Sequence, residues 1–335
     1  MWERFSKLLL TGWKLGPTIV LLSQRVDDFG RLMIDSTTTN QRRVSVLACR
    51  SPAKINLTLQ VLGRREDGYH DIRSVVVGLD LTDTLRFQQE CDKGIELTCD
   101  QPGLPTDDRN LVVQAARKIA SYGRYDVGVS IELFKRIPVG AGLGGGSGNA
   151  AVTLAALNRL WEVNLGEDEL AGLGAAIGSD VPLFFSLPAS EISGRGERVR
   201  PVALRWSGWV LLVFAGCEVS TGAVYQAWLP ADSGVVTGDL TQAMTQAETA
   251  DDLAALCRND LEPAIFRVAP RVRALHQAVG ALADKPVRIS GAGQAAFVLF
   301  DDQEEAENLR TALVSRGIGT GTRLVKTMTG PLMIE

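Results

Sequence analysis

The feature that most constrains this chain is a run of glycines between positions 138 and 149. Six of the nine residues from Gly140 to Gly148 are glycine, and small apolar residues at helical spacing follow at once. Glycine loses more backbone entropy on folding than any other residue, so such a cluster needs a physical reason. Backbone N–H groups that approach an oligophosphate closely at a helix N-terminus provide one. The segment 138–148 therefore predicts a loop that binds nucleotide phosphates.

Two common nucleotide-binding motifs fit this run only in part. The stretch from Gly140 to Gly145 satisfies G-x-G-x-x-G, but helical sequence stands where a dinucleotide fold needs a second strand ending in an acidic residue. The same two glycines also have P-loop spacing, but Gly146 occupies the position of the lysine that reaches the terminal phosphates. A Walker-type ATPase is excluded on that ground, and a dinucleotide-binding fold is poorly supported.

The periodicity of apolar residues predicts a mixed α and β chain, and 335 residues favour two domains. In the first strand Ile55, Leu57 and Leu59 alternate with polar residues, which predicts one buried and one solvated face. Asp180 should lie just past a helix end, because Pro182 forces an extended chain. We expect strands over 44–62, 72–79, 84–88, 127–134, 209–215 and, around a glycine turn, 287–300, and helices over 110–120, 147–161, 167–177, 251–258 and 270–282.

Charge and composition argue against several partner classes. The net charge of −4 offers no general attraction to nucleic acid or to an anionic membrane. The apolar stretch from Leu8 to Leu22 is interrupted by Lys14 and Pro17, and it is too short to span a bilayer. The five cysteines include no Cys-x-x-Cys pair and only two histidines could join them, so no protein metal site is expected. We expect a cytoplasmic protein without nucleic-acid or membrane partners.

Four spaced segments resemble the GHMP kinases, the superfamily of galactokinase, homoserine kinase and mevalonate kinase. They are Ser-Pro-Ala-Lys-Ile-Asn-Leu at 51–57, Arg-Glu-Asp-Gly-Tyr-His at 65–70, the glycine loop with Asn-Ala-Ala at 138–151, and Gly-Ser-Asp-Val-Pro-Leu-Phe at 178–184. Weaker likenesses cover 219–225 and the turn 290–293. Several motifs in the right order are far more specific than any one of them.

The resemblance implies an α+β fold of two domains. The N-terminal, ATP-binding domain would resemble domain 2 of ribosomal protein S5 and cover residues 45–205. The C-terminal domain would be ferredoxin-like and cover residues 206–335. Residues 1–44 have no counterpart in the family and would form a weakly ordered extension, with Met33 as a candidate start. The resemblance leaves open whether the protein is a monomer or a homodimer.

The resemblance also implies the site of an ATP-dependent small-molecule kinase, with Mg²⁺ bound with the nucleotide. Lys54 and Asp180 match the catalytic pair, in which the aspartate accepts the proton of the acceptor hydroxyl and the lysine keeps it ionised and orients the hydroxyl. Asn56, Tyr69 and His70 match the substrate contacts of the family member that phosphorylates a cytidine diphosphate ester. The implied ATP loop consists of Pro138, Val139, Gly140, Ala141, Gly142, Leu143, Gly144, Gly145, Gly146, Ser147 and Gly148.

The chain departs from the family pattern at two places in these motifs. Gly148 stands where the family usually has a second serine, so Ser147 alone must supply a hydroxyl. Gln294 follows the glycine turn at a position where small or hydroxyl residues are commoner.

Two other functions stay open at this point. One is a GHMP kinase that acts on homoserine or a mevalonate-like alcohol, against which Tyr69 and His70 argue. The other is a catalytically silent ligand sensor on the same scaffold, against which the presence of both Lys54 and Asp180 argues.

Overall fold

A computed structural model describes residues 25–26, 32–33, 46–90, 94–122, 128–234 and 238–332. Its strands are β1 (Arg25–Val26), β2 (Leu32–Met33), β3 (Val46–Asn56), β4 (Thr58–Arg64), β5 (His70–Glu90), β6 (Ile95–Cys99), β7 (Gly128–Phe134), β8 (Ala189–Gly194), β9 (Arg198–Pro201), β10 (Trp209–Phe214), β11 (Arg258–Asn259), β12 (Arg288–Ile289), β13 (Ala295–Phe300) and β14 (Gly321–Lys326). Its α-helices are α1 (Leu111–Ala120), α2 (Gly145–Leu160), α3 (Glu167–Ala175), α4 (Thr221–Ala227), α5 (Leu240–Gln246), α6 (Ala250–Leu256), α7 (Glu262–Val268), α8 (Pro270–Gly280) and α9 (Gln303–Ser315), and 3-10 turns cover Pro182–Ser186 and Pro230–Asp232.

The chain divides into two units, residues 1–43 and 44–335. In the first unit β1 and β2 pair antiparallel, with Arg25 opposite Met33. The rest of the predicted N-terminal extension, including the apolar stretch 8–22, lies outside the described residues. The proposed domain boundaries remain predictions.

The first half of the larger unit is built around the 21-residue strand β5. This strand pairs antiparallel with β3, β4, β7 and β8, and β6 extends the sheet beside β7 in the parallel direction. The register of β3 shifts between Pro52 and Ala53. Proline cannot donate to a strand ladder, so it is tolerated at such an irregularity. Helices α1 and α2 pack against each other and against this sheet.

The second half contains an antiparallel sheet in the order β12-β13-β10-β14. Alternate residues of β10 belong to two different apolar cores: Leu211 and Val213 pack in one, Val210 and Leu212 in the other. Because successive side chains point to opposite faces of a strand, both faces of this sheet are covered. The second core also contains Ile55 of β3, so it lies between the two sheets.

The α+β architecture is confirmed, but several predicted boundaries are wrong. The strand expected over 44–62 is broken at Leu57, and residues 51–59 are buried on both faces because a second layer covers them. The strands expected over 72–79 and 84–88 form one continuous strand. Helix α2 begins two residues earlier than expected, and the helix expected over 251–258 ends at Leu256, before the short strand β11. In the described part of the chain no helix is both long and apolar enough to cross a membrane.

Candidate active site

The glycine loop ends in a helix start, as predicted. Gly140, Gly142 and Gly144 all have positive φ, and Gly144 is the residue that precedes the first turn of α2. A side chain disfavours this left-handed conformation, so glycine is required for the path of the loop. The first N–H groups of a helix have no acceptor inside it, and here they belong to residues 145–147. The loop can therefore direct backbone donors and the positive end of the helix dipole at a phosphate group.

A buried carboxylate fixes the entrance to the loop. Asp83 is fully buried and accepts hydrogen bonds from the backbone N–H groups of Arg136 and Ile137 at 2.7 and 2.8 Å. It also forms an ion pair with the buried ammonium group of Lys135. Buried charges are tolerated when they are paired and hydrogen-bonded, so these contacts hold the chain immediately before Pro138. The sequence analysis did not identify Asp83.

A second glycine turn, residues 290–293, packs directly against the loop. A Cβ added to Gly142 would lie 2.2 Å from the Ser290 carbonyl oxygen, and one added to Gly293 would lie 2.3 Å from the carbonyl carbon of Ala141. The Ser290 hydroxyl donates to the Gly142 carbonyl at 3.0 Å, and the N–H of Ala295 donates to the Ala141 carbonyl at 3.1 Å. The two turns thus form one backbone-to-backbone unit.

Lys54 and Asp180 meet in the same site although 126 positions separate them in the sequence. The Lys54 Nζ lies 3.5 Å from Asp180 Oδ2 and donates a hydrogen bond to Asn56 Oδ1 at 2.7 Å. The lysine side chain is only 6% exposed, whereas the aspartate is 37% exposed. The ammonium group is therefore fixed by two partners, and the carboxylate stays accessible to a ligand.

The pleat of β3 explains why Lys54 and Asn56 act together. Residues two apart on a strand point to the same face, so both side chains face the cavity while Ile55 packs in the core between the sheets. The side-chain amide of Asn56 donates to Ser74 Oγ at 2.8 Å, and the Ser74 hydroxyl donates to the Thr58 carbonyl. Both the oxygen and the nitrogen of the Asn56 side-chain amide are therefore hydrogen-bonded.

Asp180 lies in the segment that follows helix α3. The extended chain expected at Pro182 is wrong, because Val181 has helical dihedral angles and Pro182 begins a 3-10 turn, where its fixed φ is tolerated. Val181, Pro182, Leu183 and Phe184 are buried and anchor the turn that carries the carboxylate. The Phe184 ring lies 3.0 Å from the positions that a Cβ would occupy at both Gly144 and Gly148. The aspartate segment and the glycine loop therefore pack on one another.

Two cavities meet at the glycine loop. The larger one, of about 800 Å³, is lined by Lys54 and Asp180 at one end and by Tyr69 and His70 at the other. The smaller one, of about 310 Å³, is lined by the loop and the start of α1. Gly140, Gly142 and Gly144 line both cavities. A phosphate group bound at these three glycines would therefore be accessible from both cavities.

The far end of the larger cavity is aromatic. Tyr69 is 55% exposed, and the guanidinium carbon of Arg195 lies 4.9 Å from the centroid of its ring. The His70 ring lies 5.1 Å from that of Tyr225 and meets the Trp228 ring edge-on at 5.4 Å. The indole N–H of Trp228 is buried without a hydrogen-bond partner among the described residues. Tyr225 belongs to the weaker motif at 219–225, but no sequence signal pointed to Arg195 or Trp228.

At the aromatic end of the cavity, burial favours the uncharged forms of two titratable rings, those of His70 and Tyr225. Burial, and next the charge of Arg64, lower the pKa of His70 below its ordinary value of 6.5. Burial, and next the negative charge of Asp180, raise the pKa of Tyr225 above its ordinary value of 10.0. A neutral imidazole keeps one donor and one acceptor nitrogen, and a neutral phenol can do both. This end of the cavity can therefore form hydrogen bonds with a polar, uncharged ring.

The structure brings nearly all predicted site residues to these two cavities. Ten of the eleven predicted ATP-loop residues line the smaller one, joined by Asn149. Gly148 does not line it: its N–H donates to the Gly144 carbonyl at 2.9 Å, and the residue is buried inside the helix. A Cβ at this position would lie 2.9 Å from Ser51 Oγ and 3.0 Å from the Pro52 carbonyl oxygen. The glycine that departs from the family pattern is thus a packing requirement of this chain.

Comparison with known proteins identifies the class. The model of the GHMP kinases N terminal domain matches residues 110–186, and that of the GHMP kinases C terminal region matches residues 240–319. Solved structures of a homoserine kinase from Cytophaga hutchinsonii (TM-score 0.67, 17% identity, 87% of this chain and 97% of that one) and of the Methanococcus jannaschii mevalonate kinase (TM-score 0.63, 16% identity, 86% and 100%) share the fold. The chain belongs to the GHMP kinase family, and it is a kinase.

More similar relatives share a single name, 4-diphosphocytidyl-2-C-methyl-D-erythritol kinase. The protein of that name from Syntrophus aciditrophicus is 35% identical over 272 residues, which cover 81% of this chain and 96% of the relative. The one from Thermodesulfovibrio yellowstonii is 35% identical over 292 residues, covering 86% and 100%. A crystal structure of 4-(cytidine 5'-diphospho)-2C-methyl-D-erythritol kinase matches with a TM-score of 0.72 and 32% identity, covering 85% of this chain and all of that one.

Proposed function

We propose that the protein transfers the γ-phosphoryl group of ATP to the 2-hydroxyl of 4-diphosphocytidyl-2-C-methyl-D-erythritol, a step of the non-mevalonate route to isoprenoid precursors. The observation that carries the proposal is the larger cavity. It joins the Lys54–Asp180 pair to an aromatic end at Tyr69 and His70, with the glycine loop between them. The relatives named for this reaction match most of the chain.

The two cavities suggest how the substrates are divided. ATP would occupy the smaller cavity, with its phosphates at the glycine loop and at the start of α2. The cytidine ester would occupy the larger cavity, with its ring at the aromatic end and its alcohol at Asp180. The terminal phosphate would then lie at the three glycines that line both cavities.

The chemical step needs little beyond this arrangement. Asp180 accepts the proton of the 2-hydroxyl as the oxygen of that hydroxyl forms a bond to the γ-phosphorus. The bond between the γ-phosphorus and the bridging oxygen breaks, and ADP leaves. Lys54 holds the carboxylate in place from 3.5 Å, and its positive charge stabilises negative charge that develops on the transferring group.

We propose that Mg²⁺ enters with ATP as part of the substrate. Mg²⁺ prefers oxygen ligands and is commonly held by substrate phosphates together with one or two protein oxygens. The Asp180 carboxylate and the Ser147 hydroxyl are oxygen ligands of that kind at the two cavities.

The requirement for ATP also favours a location in the cytoplasm, which cell fractionation would test.

The aromatic end favours a cytidine ester over simpler alcohols. A ring of the size of cytosine can stack on the exposed face of Tyr69, and the acceptor nitrogen of a neutral His70 can receive a hydrogen bond from the exocyclic amino group. The positive charge of Arg195 lies at the same end and suits a diphosphate. Homoserine and mevalonate offer no group for this part of the cavity.

The test is an ADP-release assay with a panel of acceptors at saturating MgATP. The panel contains the cytidine ester, the same ester with uracil as base, homoserine and mevalonate, and the product is located by ³¹P NMR. We expect turnover with the cytidine ester, phosphate at its 2-position, and weaker binding of the uridine analogue. Faster turnover of homoserine or mevalonate would refute the proposed substrate, and no turnover of any acceptor would favour a silent sensor.

A further inference from the structure

We infer that Asn259 is a positioning residue for phosphoryl transfer, because it fixes the glycine turn 290–293 that supports both the phosphate loop and the Lys54–Asn56 pair. The inference rests on the proposed function in one respect: the kinetic experiment below measures the proposed reaction. The geometry that carries it lies in the second half of the chain, in a segment that none of the recognised motifs includes.

The hydrogen bonds of Asn259 are directed at the base of the turn. The residue is 7% exposed, and its side-chain amide donates to the carbonyls of Ile289 and Gly291 at 2.9 and 2.7 Å. Its Oδ1 accepts the N–H of Leu261 at 2.9 Å, which fixes the orientation of the amide. The amide nitrogen and the oxygen are thus both used, and one side chain holds the carbonyl of Gly291 in the turn and that of Ile289 just before it.

The residues beside Asn259 extend the same attachment. Glu262 accepts the N–H of Ile289 at 2.8 Å, so the residue before the turn is held at both its N–H and its carbonyl. Asp260 accepts the N–H of Val61 in β4 at 3.0 Å, and β11 pairs with β4 in the parallel direction. The segment 259–262 therefore ties the turn to the sheet that carries the catalytic lysine.

The turn transmits its position to the reacting groups by direct contact. On one side the Ser290 hydroxyl donates to the Gly142 carbonyl and accepts the N–H of Asn56 at 3.3 Å. On the other side, a Cβ at Gly291 would lie 3.1 Å from Asn56 Oδ1 and 3.6 Å from Lys54 Nζ. Since these surfaces touch without a gap, the turn cannot move alone.

The expected effect of losing the amide follows from these contacts. In Asn259→Ala the carbonyls of Ile289 and Gly291 lose their donor, and a buried acceptor without a partner is costly. The turn must shift to find other partners, and a displacement of about 1 Å in a reacting group can lower a rate by about a hundredfold. We expect kcat to fall by about tenfold to a hundredfold and the dissociation constant for ATP to rise. The KM for the cytidine ester should stay within about twofold, because Tyr69 and His70 lie at the other end of the cavity.

The matched control is Asn158, an asparagine that makes the same kind of attachment away from the site. Its amide donates to the Leu165 carbonyl at 3.0 Å, and its Oδ1 accepts the N–H of Leu165 at 2.9 Å. It lines neither cavity. Asn158→Ala should lower the melting temperature without changing kcat or the dissociation constant for ATP.

The experiment compares wild type, Asn259→Ala, Asn259→Ser and Asn158→Ala by thermal unfolding, by calorimetric titration with a non-hydrolysable ATP analogue, and by kinetics with the cytidine ester. Asn259→Ser keeps one hydroxyl donor and should give intermediate nucleotide affinity and kcat, and it replaces the alanine variant should that variant not fold. The inference is overturned if folded Asn259 variants bind the analogue and turn over like wild type, or if Asn158→Ala changes both constants equally. An inactive wild type that binds the analogue normally would instead refute the proposed function.

Discussion

Replacing Gly142 by alanine tests whether the glycine loop and the turn 290–293 form one unit. Gly142 has a φ of +82°, and an added Cβ would meet the Ser290 carbonyl oxygen at 2.2 Å. Gly103 provides the matched control, because its φ is +85° and a Cβ there would meet nothing within 4 Å. Both substitutions force alanine into the left-handed region, and only one of them creates a steric conflict.

The two costs can be separated. The left-handed backbone costs a non-glycine residue about 1–2 kcal/mol at either position. At Gly142 the overlap can be relieved only by separating loop and turn, which breaks the hydrogen bonds from the Ser290 hydroxyl to Gly142 and from Ala295 to Ala141. Each such bond contributes about 1 kcal/mol. We therefore expect Gly142→Ala to lose about 2 kcal/mol more unfolding free energy than Gly103→Ala.

Equilibrium unfolding in urea measures that difference, and titration with a non-hydrolysable ATP analogue measures the function of the loop. Gly103→Ala should bind the analogue like wild type, and Gly142→Ala should bind it much more weakly because the N–H groups no longer converge. If both variants lose the same unfolding free energy and both keep nucleotide affinity, the contact between loop and turn does not support the phosphate site.

Three further outcomes follow from the site. In single-turnover kinetics, Asp180→Asn should lower kcat by about a hundredfold to ten-thousandfold and keep nucleotide affinity. The double variant with Lys54→Ala should lose less than the product of the two single losses, because the two residues act as a unit. A near-normal rate for Asp180→Asn would rule out Asp180 as the proton acceptor. Because burial and a nearby guanidinium lower the pKa of His70 from 6.5, KM for the cytidine ester should be constant above that pH and rise below it as protonation removes the acceptor nitrogen, a rise that His70→Ala should abolish. Gly148→Ser should lose about 1–3 kcal/mol of unfolding free energy by overpacking. Adding Ser51→Ala should recover part of that free energy, because it removes the oxygen that lies 2.9 Å from the new Cβ. If the losses of unfolding free energy simply add in the double variant, the packing explanation is wrong.

Local patterns in the sequence predicted the features that depend on local chemistry. The glycines at 140, 142 and 144 require positive φ, and the apolar spacing after them indicates a buried helix, so loop and helix could be placed together. The position of Asp180 after a helix end was predicted correctly, but the extended chain expected at Pro182 was wrong, because proline also fits the first turn of a 3-10 helix. Alternation in the first expected strand also predicted a buried face at Ile55, Leu57 and Leu59, which is confirmed. The solvated face expected for that strand was wrong. A Cβ added to Gly144 would lie 2.9 Å from Lys54 Cγ, and one added to Gly291 would lie 3.1 Å from Asn56 Oδ1, so segments distant in sequence cover this face, which periodicity cannot reveal.

Long-range contacts explain what the sequence could not show. Asp83 lies in the middle of β5, and nothing in its neighbourhood indicates that it anchors residues 135–137. The family motif placed Gly148 in the ATP loop, but this glycine packs against Ser51 and Phe184 inside the protein. Arg195 and Trp228 reach the aromatic end of the cavity from segments with no shared pattern. Each of these roles exists only because the fold brings distant backbone together.

The same reasoning explains why the site depends on a segment outside the motifs. Lys54, the glycine loop and Asp180 lie in the first half of the larger unit, but the surface that holds the loop in place is the turn 290–293 from the second half. A turn of this kind has few side chains of its own to anchor it, so its position must be set by neighbours. Asn259 and Glu262 supply those contacts at the N–H and carbonyl groups of Ile289. The geometry of phosphoryl transfer is therefore a property of both halves together, and a change near position 259 should alter chemistry more than its distance in sequence from Lys54 suggests.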